Sequence, residues 1–535
     1  MKKLRKAISW LLLVTMMLGI LVGCGSDDVT DSGSGDVELV DGDWEYENRG
    51  IVTSLQAAAS TSDPFGHANV NDREWILNAY EPLFCNNGLT GELEPRVGKS
   101  LEISEDETTY TVEIFDNIYF QNGKHCTSED IKRSFEYGQT SAFNLKFSGI
   151  VDRVEIVDDY TVDIVLKEPS SPFLSNSDQI YILDMDEVEE QGDRFGQIAN
   201  TAGTGAYYIE KYDPAVEIVL KRHEKFHREI EGRPIPQITF RVMTDLSAAL
   251  MAFEAGDLDF ISNMPPSNFG PLEATGKFST HVGQTTQLMY TVMNFRNVDG
   301  LEDTRVRQAV AYALDYQALL DIGQEGFGHI SGKIAYAPYT IAAPDENSGL
   351  IYTHDPEKSK ELLKEAGYED GFDLGKILVA AGTNTEKMAQ VMQGNLAEVG
   401  ITSSIDSMEQ VTTISNLFSG NFGTGIITYY MMMDYDYITG IMDMDGNEQA
   451  IIRLDGAEDF DYQRIYDLFH EARKYTDEDK RREIYTEIEE ILMEAAIIIP
   501  NFHTALPYAW DQGLTINTDK PYTYHYSQFW DAYWN

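Results

Sequence analysis

Tyr110-Thr111-Val112-Glu113-Ile114, then Phe120-Gln121-Asn122-Gly123-Lys124, then Thr127-Ser128-Glu129-Asp130-Ile131 form the stretch from which the fold of this chain is read. Tyr110, Val112 and Ile114 alternate with polar residues, the two-residue period of a strand with one buried face. Thr127 followed three residues later by Asp130 has the pattern of a capping box. Ile131 and Phe135, four apart, mark the buried side of the helix that this box opens.

The same two signals recur outward from this stretch. Val162, Ile164 and Leu166 alternate, as do Val216, Ile218 and Leu220, so each set predicts a half-buried strand. Asp245 opens a helix carrying Ala249, Leu250 and Phe253, and Gly256 closes it. Asp303 and Thr304 precede Val306, Val310, Ala313 and Leu314, with Gly323 as the expected stop. Asp355-Pro356 has the cap-then-proline order, Leu362, Leu363 and Ala366 face inward, and Gly367 ends the helix. A last long helix from Asp477 to Ala496 carries Ile484, Ile488, Ile491 and Leu492, and runs into Ile497-Ile498-Ile499-Pro500, suited to a buried strand. Irregular mixing of strands and helices without an internal repeat gives an α/β or α+β class, two or three lobes in 535 residues.

The N-terminus reads as an export signal. Lys2, Lys3, Arg5 and Lys6 precede an apolar run from Ile8 to Val22, too short for a comfortable membrane span. The run ends at Leu21-Val22-Gly23-Cys24, which resembles the lipobox of bacterial lipoproteins. That resemblance implies that residues 1–23 are removed and that Cys24 is lipidated, and two acyl chains anchor durably where one does not. Residues 24–44, with Gly25-Ser26-Asp27-Asp28 and the Asp31 to Asp36 segment, bury almost nothing and read as a flexible tether.

A formal net charge of −49 is spread along the chain. Nucleic acid and anionic lipid heads are repelled by such a surface, which excludes both as partners. Cys85 and Cys126 stand outside any Cys-x-x-Cys pair. An oxidising compartment permits a disulfide between them, while their scarcity favours packing as small apolar residues.

Several segments together resemble the solute-binding family 5 proteins of peptide and nickel importers. They are the stretch from Leu101 to Ile131 just described, the turn Gly203-Thr204-Gly205-Ala206-Tyr207, Ala255-Gly256-Asp257-Leu258-Asp259, Asp303-Thr304-Arg305-Val306-Arg307-Gln308-Ala309 with Ala313-Leu314-Asp315, and Asp355-Pro356-Glu357-Lys358 with Glu365-Ala366-Gly367-Tyr368. The resemblance implies a two-lobed periplasmic-binding-protein-like fold of type II, cluster C, with an extra domain inserted in lobe one. Mapped by position, lobe one is 45–70, 200–285 and 500–535, the inserted domain 71–199, and lobe two 286–499. Crossings between lobes are expected near Thr291 to Asn294 and near Ile499 to His503. The implied function is capture of a peptide, or a similar small solute, by a monomer that hands it to the permease and ATPase subunits of an importer; a receptor that binds signalling peptides without feeding an importer is the alternative that uses the same pocket. Its place is the cell envelope, on the outer face of the cytoplasmic membrane or in the periplasm, held by lipid.

In peptide-binding relatives an aspartate of an Asp-Tyr pair holds the amino terminus of the ligand. Tyr429-Tyr430-Met431-Met432-Met433-Asp434-Tyr435 stands in the matching place. A half-buried carboxylate needs a cation, which an α-ammonium supplies with charge-assisted hydrogen bonds. The expected ligand set is therefore Asp434, Tyr430, Met431, Met432, Tyr435 and Asn294. Ile426-Ile427-Thr428 departs from relatives that place an arginine there to grip a ligand carboxylate. Longer peptides and uncharged solutes such as oligosaccharides stay open on that ground.

An enzymatic reading competes at one motif. His223-Glu224-Lys225-Phe226-His227 fits H-E-x-x-H, which binds zinc when both histidines share a helical turn and the glutamate acts as general base. The motif follows a strand directly and meets Gly232-Arg233-Pro234 soon after, so a charged surface loop is expected, with Phe226 and His227 replacing an aromatic pair of the family. Asp443-Met444-Asp445-Gly446 fails as a calcium loop because Ile441 and Ile452 occupy its first and last ligand positions. Serine-hydrolase elbows and nucleotide-binding glycine loops are missing. The chain is expected to be no enzyme, with no catalytic residue, no metal and no cofactor.

Overall fold

Phe278–Met293 and Ile498–Asp511, the two longest strands, pair antiparallel through the middle of one large sheet. Its order runs Ile401–Met408, Phe372–Ala380, Thr424–Tyr430, Phe278–Met293, Ile498–Asp511, Phe260–Ser262, Ile51–Leu55, Gln237–Val242, Glu217–Arg222 and Tyr207–Asp213, with Gly328–His329 paired to Ile498–Asp511 off this path. The computed structural model describes residues 49–66, 72–87, 92–141, 148–229, 232–335, 340–430, 434–444, 447, 450–454, 459–518 and 528–535. They belong to one unit, Tyr46–Asn535. The leader, Cys24, the tether, Met431, Met432, Ile230 and Asp445 lie outside the described residues.

Two lobes arise because the central pair of strands serves two separate cores. Leu288, Met289, Tyr290, Val292 and Met293 of the first strand, with Ile498, Ile499 and Phe502 of the second, pack into a core shared with the helices and strands between Leu301 and Ala496. Leu506 and Tyr508 of the second strand enter a different core, built with Ile51, Tyr110, Ile131, Ile218 and Phe240. A third, smaller cluster around Ala249, Phe253 and Ala509 packs Phe278. The change of core thus falls between Phe502 and Leu506, and opposite it the ladder is interrupted between Gln284 and Leu288, where one strand carries extra residues. Thr285 Oγ1 meets the Thr504 carbonyl at 3.1 Å and Thr504 donates to Gln287 at 2.6 Å, so the bulge is tied by side chains where the backbone ladder lapses. Thr291, expected at a crossing, instead lies well inside lobe two, paired with both Ile426 and Ile499.

The deciding stretch folds as its residues dictate. Gly98–Ile103, Thr109–Ile114, Thr161–Leu166 and Val151–Asp158 form a separate antiparallel sheet in that order. Tyr110, Val112, Ile114, Val162, Ile164 and Leu166 are all buried on one face, against the core that holds Ile131 and Phe135 of helix Ser128–Thr140. The capping box is present: Asp130 accepts from the Thr127 backbone at 3.0 Å and from its hydroxyl at 3.2 Å, and it also pairs with Lys124 at 2.9 Å. Gly203 and Gly205 are required by contact, since a Cβ there would stand 2.2 Å from the Ala79 carbonyl oxygen and 2.5 Å from its carbon.

Aspartates cap the helices, which gives part of the acidic surplus a structural use. Asp245, Asp355 and Asp477 accept from the backbone of Ala248, Lys358 and Lys480 at 2.9, 2.9 and 3.0 Å. The helix expected from Asp303 to Gly323 is two helices, Thr304–Ala313 and Tyr316–Gln324. Leu314 is extended and Asp315 caps afresh, accepting from Ala318 at 3.0 Å, so a second cap signal outweighs the apolar periodicity. Val216 is 54% exposed in the turn ahead of strand Glu217–Arg222, where only Ile218 and Leu220 reach the core. Among the described residues no helix is long and apolar enough to cross a membrane.

Candidate functional site

The lobes meet around Asp434. Asp434 caps the short 3-10 helix Tyr435–Ile441, accepting from the Asp436 backbone at 3.0 Å. Helix Glu478–Ala495 lies behind and presents Arg481, Tyr485 and Glu489 four residues apart, hence on one face. Arg481 forms an ion pair with Asp434, and the Tyr485 hydroxyl donates to the same carboxylate at 3.0 Å. From the segment mapped as the inserted domain, the Ser175 hydroxyl comes within 3.5 Å of the Asp434 carboxylate.

Other bonds stitch the same seam. The Ser171 backbone donates to the Arg473 carbonyl at 2.9 Å, and Glu107 accepts from the Thr476 backbone at 2.9 Å and from its hydroxyl at 3.0 Å. Two cavities open beside these contacts. One, of about 650 Å³, is walled by Phe173 and Asn176 on one side and by Tyr429, Tyr437, Asp436 and Arg473 on the other. The second, about 200 Å³, is lined by Asn86, Leu174 and Ser175 facing Asp434, Thr476 and Arg481. Tyr429 and Tyr437 stack in the first with ring centroids 5.5 Å apart.

Charges at the seam are compensated internally. Burial works to discharge Arg481, yet Asp434 and Tyr485 together outweigh this and hold the guanidinium protonated above its usual range. Burial raises Asp436, and Arg473, bonded to it at 2.7 Å, opposes that rise. Glu489 is raised by burial although it accepts from Tyr435 at 2.6 Å and from the Ile334 backbone at 2.7 Å.

The residues expected to meet a ligand are dispersed by the structure. Asp434 lies at the seam, 1% exposed, but its cation is Arg481 of the same chain. Tyr435 belongs to the lobe-two core instead of a ligand wall: its ring stacks on Phe469 and its hydroxyl is given to Glu489. Asn294 is also a structural residue, bonding Gly420 at 3.1 Å and Gly423 at 2.7 Å in the turn that follows Met293. Because Met293 pairs with Thr424 while Gln287 pairs with Tyr430, Asn294 stands at the far end of the strand, roughly 20 Å from Tyr430 at about 3.3 Å per residue. Arg481, Tyr485 and Glu489 escaped sequence reasoning. Their signal was the four-residue spacing of polar groups between the apolar positions Ile484, Ile488 and Leu492.

The H-E-x-x-H residues form a turn after strand Glu217–Arg222 and no helix. His223 faces the Gly205 carbonyl at 3.3 Å, whereas His227 bonds Glu81 at 3.0 Å, beside Arg228 on the other Glu81 oxygen at 2.6 Å. The expected surface loop is corrected here: both histidine rings are buried, and they fasten the Gly203–Gly205 turn and Glu81 to the strand pair. Among the described residues no three metal-binding side chains converge. Cys85 and Cys126 are buried free thiols.

Comparison with known proteins matches residues 92–442 to the model of bacterial extracellular solute-binding proteins, family 5 Middle. The chain is similar to the glutathione-binding protein GsiB of Salmonella paratyphi A, 25% identical over 372 residues that cover 67% of this chain and 69% of the relative. Among solved structures it is similar to the substrate-binding protein CtaP of Listeria monocytogenes, with a TM-score of 0.79, 21% identity, and 91% and 99% of the two chains covered. The periplasmic binding protein DppA of Helicobacter pylori, in complex with the peptide STSA, gives 0.76 at 19% identity, covering 92% and 99%.

Proposed function

This chain belongs to the bacterial extracellular solute-binding proteins of family 5, and from that premise we propose that it is the lipid-anchored capture subunit of an ATP-driven importer for peptides or a closely related small solute. One observation carries the reading: two separate cores are joined by two through-running strands, with a seam beside Asp434 walled on one side by residues of the segment mapped as the inserted domain and on the other by lobe two. A solute touching both walls stabilises the closed pair over the open one by its difference in affinity for the two. A permease that recognises the closed shape then receives the cargo, and no bond of the cargo is broken.

Support for a peptide-like cargo comes from the glutathione-binding relative and the peptide-bound fold neighbour. Tyr430, Met431 and Met432 are proposed as lobe-two wall on their position in the chain just ahead of Asp434. Lipid at Cys24 supplies the membrane attachment, and the protein acts as a monomer. Mass spectrometry of solute retained by protein purified without residues 1–24, with X-ray scattering before and after its removal, tests the proposal. Compaction with a peptide-like solute supports it; an unchanging single-body profile, or chemical conversion of the solute, overturns it. Cys24→Ser is expected to move the full chain from the membrane to the soluble fraction.

A further inference from the structure

Tyr429 and Tyr437 join the two cores across the seam. Tyr429 packs against the lobe-two core, whereas Tyr437 packs against the core that holds the inserted segment, and among the described residues it is the only apolar side chain of 286–499 to do so. Their rings are stacked, with planes 23° apart and centroids at 5.5 Å. Both are half-buried and wall the cavity of about 650 Å³, a size within the range of roughly 300–1,000 Å³ found for small-molecule pockets. The facing wall is Pro169, Pro172 and Phe173. Phe173 is 3% exposed and its ring is held edge-on by Tyr110 at 5.1 Å, and the two prolines restrict the backbone that carries it, so this wall is set before a ligand arrives. Arg473 lies at the same cavity with its guanidinium plane fixed: Nε and Nη2 donate to Asp436 at 2.7 and 3.3 Å, and Nη2 donates to Thr439 at 3.0 Å.

We propose that this cavity is a subsite for an aromatic group, and that Tyr429, Tyr437 and Phe173 make the protein select cargo peptides carrying a Phe, Tyr or Trp side chain. A ring seated there meets other rings and a fixed guanidinium plane, contacts that reward a π system beyond the apolar area it buries. An aliphatic side chain gains the area alone. The ring also touches a wall on each side of the seam, so its burial is complete only when the lobes are shut, and it adds to the difference in affinity that closes them. This rests on the reading that cargo binds at the seam.

The test offers protein lacking residues 1–24 and freed of bound solute an equimolar mixture of tetrapeptides built from Gly, Ala and Ser, each with a single Phe or a single Leu placed at every position in turn. Retained peptides are counted by mass spectrometry. Wild type is expected to retain Phe members over their Leu counterparts by about threefold or more at one position at least, and equal retention at every position overturns the inference. Tyr437→Leu, and separately Tyr429→Leu, are expected to bring that ratio to about one. A variant with wild-type circular dichroism that keeps the wild-type ratio also overturns it; if neither variant folds, the wild-type ratio decides alone. Retention of no peptide at all sinks the peptide cargo instead, and the cavity is then probed with indole by saturation-transfer NMR. Transfer to indole in wild type that is lost in Tyr437→Leu supports the aromatic subsite; no transfer, or transfer that the variant keeps, overturns it.

Discussion

Asp434 and Arg481, 47 residues apart in the chain, form one buried ion pair at the meeting of the two lobes, with Tyr485 completing it one helical turn along. A pair so placed is worth little as a net attraction but is costly to break, because the survivor is left charged in a low-dielectric site.

Asp434→Asn is therefore expected to destabilise the protein by about 3–5 kcal/mol. Combining it with Arg481→Met should restore much of the loss. Urea denaturation midpoints of the two single variants and the double variant check this, and a midpoint for Asp434→Asn equal to that of wild type would sink it.

Glu107 reaches across the seam to both the backbone and the hydroxyl of Thr476. Hydrogen bonds to a charged acceptor contribute about 1.5–3 kcal/mol when buried and less where water competes, as at this half-buried position. Glu107→Ala should favour separation of the lobes several-fold. The expected reading is a larger radius of gyration in solution without ligand, while an unchanged radius would remove the contact from any account of closure.

Glu81 sets an acid limit on stability. Burial alone would raise its carboxyl, but Arg228 and His227 outweigh burial and hold it at about 2 in place of its ordinary 4.5. The folded state thus binds its proton later than the unfolded state does. The stability so gained is complete above about pH 4.5 and disappears as pH falls toward about 2, roughly 3 kcal/mol in all. Glu81→Gln should flatten the pH dependence of unfolding inside that window, and an identical slope would refute the linkage.

Burial raises both remaining thiols, Cys85 to about 11 and Cys126 well above its usual value. A thiol reagent at pH 8 should find neither in the native protein lacking residues 1–24, and both after unfolding. Recovery of no thiol from the unfolded protein would mean that the two are bridged.

What the sequence determined by itself is whatever depends on neighbours in the chain. Alternation in Tyr110-Thr111-Val112-Glu113-Ile114, the box at Thr127 and Asp130, and the aspartate caps at Asp245, Asp355 and Asp477 each act within a few residues, and the resemblance they carry fixed a two-lobed class. Even there, competition misled: Val216 continued a strand period into a turn, and Asp315 restarted a helix that the apolar spacing ran together. Only the tertiary structure decided the partners of the charged groups. Asp434 satisfied by Arg481, His227 drawn to Glu81, and Asn294 holding a turn at the far end of its strand are choices made between distant segments, because a buried charge or amide must find its complement wherever the fold brings one.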